Sequence, residues 1–167
     1  MIRVVVDDLA FVAADAIVRP ATDFLEPTTP SLRRLEQVGG PAFWDHLTVE
    51  RPLAVGSAVV TAGGNLTAEL VIHAIIRSAT EPVSERSVQR ALTAALQRTA
   101  DWALAHVAVP PVGIGAGNLT LEDAARTMAG VFAGVPGASG YPRDVTIVVE
   151  TEDQRRVFET YFRTNGS

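Results

Sequence analysis

Apolar and polar positions alternate along this chain between short β-branched runs and longer stretches of helical period. Residues 2–6, IRVVV, read as a buried strand ending at Asp7 and Asp8. Residues 15–21, DAIVRPA, read as a second strand stopped by Pro20, whose ring nitrogen cannot donate to a ladder. A turn-forming segment, TDFLEPTTP, follows. Thr29 then supplies an N-cap and Pro30 a first helical residue, so residues 31–38 predict a helix closed by Gly39 and Gly40. Phe43, Trp44 and Leu47 recur at helical spacing and predict a short helix over residues 41–49.

Residues 53–61 alternate around Ala58 and Val60 as a strand should, and the tight turn AGGNLT leads into ELVIHAII, an apolar run that fits a strand buried on both faces. Ser84 caps the longest predicted helix. Its apolar face is Val88, Ala91, Leu92, Ala95, Leu96, Thr99, Trp102 and Ala103, three and four residues apart. Val107, Val109 and Val112 form a strand that breaks at Pro110 and Pro111, enters a turn with glycine at 113, 115 and 117, and runs into a helix. That helix is opened by Thr120 and Asp123, a variant capping box. Residues 144–150 are the last strand, and Thr151 with Gln154 caps a final helix whose buried stripe is Val157, Phe158, Tyr161 and Phe162. Strands and helices interleave, with a hairpin-like pair in the middle. The expected fold is therefore α/β, a three-layer α/β/α sandwich around a mixed central sheet, in one domain over residues 1–167.

Composition narrows the chemistry. The chain has 167 residues, 47% of them hydrophobic and 20% charged, enough for a substantial core. It has no cysteine, hence no thiol nucleophile or thiolate metal site, and all 14 basic residues are arginine, which removes Schiff-base chemistry. Net charge is −5 and the arginines are scattered apart from Arg33 with Arg34 and Arg155 with Arg156. That argues against broad binding to nucleic acid and leaves room for one small anion. No apolar run reaches membrane-spanning length, so no membrane partner and a cytoplasmic location are expected. His46 and His106 lack partners at metal-ligand spacing and His73, ending a buried strand, reads as scaffold. No serine sits in GxSxG, so neither metal nor cofactor nor a nucleophilic triad is expected.

Residues 107–118 carry the strongest local signal. Strand, glycine turn and helix start bring backbone amides close to a ligand and aim unpaired N–H groups at it, a geometry that cradles anions. The same glycines also serve a turn that simply requires positive φ. The spacing is GxGxG rather than GxGxxG, no acidic residue lies about 20 residues on, and no P-loop lysine is present. Phosphate is the candidate ligand, held by Gly113, Ile114, Gly115, Ala116, Gly117 and Asn118.

Three ordered blocks resemble the macro domain, a module known for binding ADP-ribose. Asp8-Leu9 followed by DAIV at residues 15–18 is similar to the family's opening blocks. Gly56, Ala58 and Thr61 with GGNLTAELVIH at residues 63–73 match its second block, and VPPVGIGAGNLTLEDAA at residues 109–125 its third. The resemblance implies a ligand site at the carboxyl ends of the strands, with Asp8 and the Leu9 amide on adenine and residues 114–118 on the diphosphate. It also exposes departures. The family's N-A-A-N is here Arg19, Pro20, Ala21 and Thr22, so the ribose-facing asparagine becomes a hydroxyl. The first phosphate loop becomes EPTTPSLRRL at residues 26–35, with prolines where amides should donate and with Glu26 adding negative charge. The aromatic that follows the family's last strand falls near Glu150. Arg19 is either an arginine snorkelling at a strand end or a guanidinium fork replacing lost phosphate donors.

Three functions follow from the resemblance. One is a binding module for ADP-ribose or a related adenine nucleotide. Another is an ADP-ribosyl hydrolase acting on ADP-ribosylated protein or O-acyl-ADP-ribose. The third is a macro fold that does not bind this ligand and serves as an interaction or homo-oligomer-forming protein. Loss of the asparagine at position 22 weighs against the enzyme.

Overall fold

The computed structural model describes residues 1–45, 47–115 and 119–166. Six strands, β1 (Ile2–Val6), β2 (Ala16–Thr22), β3 (Ala58–Ala62), β4 (Leu70–Arg77), β5 (His106–Val109) and β6 (Asp144–Val149), form one sheet in the order β1-β6-β5-β2-β4-β3. All neighbours are parallel except the β3–β4 hairpin, so the sheet is mixed as expected. Four helices complete the fold: α1 (Pro30–Asp45), α2 (Glu85–Asp101), α3 (Leu121–Phe132) and α4 (Glu152–Gly166).

Strand alternation divides the core into two layers. Val18, Ile72, Val107 and Ile147 face one side, where Leu92 of α2, Met128 of α3 and Phe158 of α4 cover them. Ile17, Val71, Ile75 and Ala108 face the other, under Leu35 and Phe43 of α1 and a 3-10 turn at Leu9–Phe11. The helix after β2 thus packs on one face, and those after β5 and β6 on the opposite face. Connections that diverge in this way open a crevice at the carboxyl ends of the strands.

Several local expectations shift. β1 is an edge strand with only Val4 buried, so it is half-buried rather than enclosed. Pro20 does not stop β2, which continues to Thr22. β5 pairs with β2 only at Ala16 and Ile17, so Pro20 lies where one flank of the strand has no ladder to break. The break expected at Gly39 and Gly40 is present: α1 is two helical segments that meet at Gly40, whose φ of 67° and ψ of −165° are non-helical. β3 begins at Ala58, later than the alternation from Leu53 suggests. α2 ends at Asp101, leaving Trp102 and Ala103 exposed beyond the apolar face assigned to them. Ser84 caps α2 as expected and also closes a capping box with Ser87, and the capping box of Thr120 with Asp123 forms as expected. At α4, Thr151 Oγ1 accepts from the Gln154 N–H (3.1 Å), while Gln154 Oε1 accepts from the Glu150 N–H (2.9 Å).

Candidate functional site

A cleft of about 800 Å³ opens at the carboxyl ends of β1, β5 and β6 and is closed on one side by the first turns of α1. Its base is apolar, built from Leu9, Leu35, Pro110, Ile114 and Val148. Its rim carries three carboxylates, Asp7, Asp8 and Glu150. Among the described residues, Arg34 is the only cationic side chain that lines it.

The chain reversal after β1 fixes Asp8. Its Oδ1 accepts the Ala10 N–H at 3.1 Å, capping the 3-10 turn, and the Asp8 N–H donates to Asp7 Oδ1 at 2.7 Å. Asp8 Oδ2 accepts from the Arg34 guanidinium, whose Cζ also lies 6.0 Å from the centroid of the Phe11 ring. Across the cleft, the Ser31 hydroxyl donates to Glu150 Oε1, joining the start of α1 to the end of β6. Thr29 caps α1 as expected, accepting the Leu32 N–H at Oγ1 (3.3 Å). The glycine turn reaches the cleft through Ile114 and Gly115. Gly115 has φ 76°, and a Cβ there would lie 2.9 Å from Thr29 Cγ2, so the turns after β5 and before α1 meet closely.

Of the residues expected to bind ligand, Asp8, Leu9, Ile114 and Gly115 line this single cleft. Gly113 does not. It has φ 99°, and a Cβ there would meet Leu119 Cδ1 at 2.7 Å and Val88 Cγ2 at 3.1 Å, so its place is in the packing beneath the turn. Ala116, Gly117 and Asn118 lie outside the described residues. Thr22 turns away from the cleft: its Oγ1 accepts from the amides of Phe24 (3.3 Å) and Glu26 (3.1 Å), holding a tight reversal that returns to β2 through an Ala21–Pro27 bridge.

Arg19 corrects the expectation most. It is fully buried, and its guanidinium binds no cleft group. One nitrogen donates to Glu36 Oε1 and, at 2.7 Å, to the Leu25 carbonyl; another donates to His73 Nδ1 at 3.1 Å. Because arginine only donates, His73 Nδ1 is an acceptor and its proton sits on Nε2, which donates to Thr61 Oγ1 at 2.7 Å. Burial holds the His73 pKa well below its usual value, and the charges of Arg19 and Arg51 lower it further, so the ring is neutral. Burial also lowers the Arg19 pKa, opposed by Glu36. Arg19 is therefore neither a snorkelling side chain nor a phosphate fork. It anchors α1 and the Leu25 carbonyl to the centre of the sheet. Arg34, Glu150, Ser31 and Gln154 were not among the expected site residues. Only the adjacent pair Arg33 and Arg34 stands out in the sequence, and nothing local says which of the two faces the cleft.

The model of the family described as Macro domain matches residues 33–128. The chain belongs to the macro domain family. A protein of Aeropyrum pernix is 30% identical over 162 residues, covering 95% of this chain and 84% of that relative. A Trypanosoma brucei macrodomain in complex with ADP superposes with a TM-score of 0.81 at 18% identity, over 96% of this chain and 68% of that one. An Oceanobacillus iheyensis macrodomain with ADP gives 0.69 at 15% identity, over 96% and 89%. At such identities the likeness is one of fold. Within this macro domain the cleft lies where the ordered sequence blocks imply a site. No helix among the described residues is long and apolar enough to cross a membrane.

Proposed function

We propose that this macro domain binds ADP-ribose or a related adenine nucleotide in the cleft, with Asp8 and the Leu9 amide on the base and the turn at Ile114 and Gly115 on the phosphates. The observation that carries the reading is the convergence of Asp8, Leu9, Ile114 and Gly115, distant in sequence, on one cavity with an apolar base and a polar rim. An apolar floor suits a flat purine, and a carboxylate at its edge suits the exocyclic amino group. Macrodomains of the same fold with ADP bound support the ligand class.

Hydrolysis is not part of this reading. It would call for a group at position 22 directed at the distal ribose, and Thr22 Oγ1 is engaged by two backbone amides of its own turn. Calorimetric titration with ADP-ribose tests the proposal. Micromolar binding that disappears in Asp8→Ala is the expected result. Absence of heat together with absence of a thermal shift at millimolar ligand would overturn it.

A further inference from the structure

We propose that Arg34 is the phosphate-binding cation of the cleft, paired with Asp8 until the base takes that carboxylate and then released to the phosphates. The inference rests on the reading of the cleft as an adenine-nucleotide site.

Charge balance comes first. A diphosphate entering this cleft meets Asp7, Asp8 and Glu150, and among the described lining residues only Arg34 offsets them. The segment before α1 supplies few amide donors, because positions 27 and 30 are proline. Arg33, adjacent in the chain, does not line the cleft, and Arg19 is fully buried and bound to Glu36. A guanidinium, which binds phosphate oxygens in a two-pronged manner, is the cationic donor that the other described lining residues do not supply.

The way Arg34 is held makes the exchange feasible. Asp8 Oδ1 accepts the Ala10 N–H and Oδ2 the Arg34 guanidinium, so an amino group reading Asp8 adds a further donor to a carboxylate already shared and weakens its hold on Arg34. Both partners of this ion pair are open to water, the Arg34 side chain 56% and that of Asp8 36% exposed. Pairs so exposed are held weakly and are easily exchanged. The Phe11 ring, 6.0 Å from the Arg34 Cζ, offers the guanidinium a face to rest on whichever anion it pairs with. One residue thereby couples the two halves of the ligand: base binding uncovers the cation, and phosphate binding keeps it off Asp8.

Titrating ADP-ribose and adenosine into the wild type, Arg34→Gln and Arg34→Lys tests this. Arg34→Gln should weaken ADP-ribose by roughly ten- to a hundredfold, the worth of a charge-assisted hydrogen bond. Its affinity for adenosine should hold or rise, because Asp8 Oδ2 is freed, and Arg34→Lys, which keeps the charge and loses the two-pronged fork, should bind ADP-ribose with an affinity between those of wild type and Arg34→Gln. Equal weakening of both ligands would make Arg34 a support for Asp8 and overturn the inference, as would no change for either. A wild type that binds neither ligand would overturn the underlying reading of the cleft, an outcome seen without any variant.

Discussion

Replacing Glu36 with glutamine removes one charge from the pair that fastens α1 to the sheet while leaving size and an acceptor in place. The side chains of Arg19 and Glu36 are 0% and 3% exposed, so water cannot solvate the guanidinium that remains. Its other partners are the Leu25 carbonyl and the neutral His73 ring, neither of which carries compensating charge. Breaking a buried pair from one side costs about 3–5 kcal/mol, whereas replacing both partners by apolar groups of similar volume is often neutral. Glu36→Gln should therefore destabilise by about 3 kcal/mol, toward the lower end of that range because the amide still accepts a hydrogen bond. Arg19→Met should fall in the same range, and Arg19→Met with Glu36→Leu should recover most of the loss. Equilibrium unfolding in urea reads these differences directly. In a chain of this size, roughly 2–4 °C of melting temperature accompanies each kcal/mol, so the single variants should melt about 10 °C lower. A Glu36→Gln protein within 1 kcal/mol of wild type would refute the reasoning, as would a double variant no more stable than the sum of the singles.

Two further predictions concern the same layer. His73 stays neutral in the folded protein while the unfolded chain protonates it near pH 6.5, so its contribution is complete above that pH. As pH falls below about 6.5, stability should drop by up to about 1.4 kcal/mol per pH unit, until the folded-state ring itself takes a proton. His73→Gln, which can still accept from Arg19 and donate to Thr61, should flatten the slope of unfolding free energy between pH 7 and 5; an unchanged slope would assign the effect to other groups. Gly64→Ala should cost more than about 2 kcal/mol in the same urea assay, because φ there is 63° and a Cβ would lie 2.4 Å from the Phe43 amide nitrogen and 2.6 Å from the Gly39 carbonyl oxygen. A loss below 1 kcal/mol would show that the kink of α1 yields readily to the hairpin turn.

Period and capping chemistry made the secondary structure legible, because Ser84, Thr120 and the β-branched runs act through near neighbours in the chain. The mixed sheet followed from alternation of elements with one hairpin. What escaped depended on distant partners. Pro20 reads as a strand end until the departure of β5 from its flank is known. Arg19 and Glu36 are each an anomaly, one in an apolar strand and the other on the stripe Leu32, Leu35, Glu36, Gly39, Phe43 of α1. Two charges on apolar faces imply each other, and that was the available signal. At the cleft, sequence blocks pointed to Asp8, Leu9, Ile114 and Gly115, which meet there. The resemblance placed residues 26–35 and Glu150 at the site as departures from the family, but that the Arg34 and Glu150 side chains form its rim follows from how α1 and β6 dock rather than from any local pattern.

Backbone amide shifts during an NMR titration with ADP-ribose address the ligand site most directly. The expected result is a saturable set of changes centred on Asp8, Leu9, Ser31, Arg34, Ile114 and Gly115, with His73 and the opposite end of the sheet at Arg3 and His106 unmoved. Changes centred on Arg3 and His106, or none at saturating ligand, would contradict an adenine-nucleotide site in this cleft.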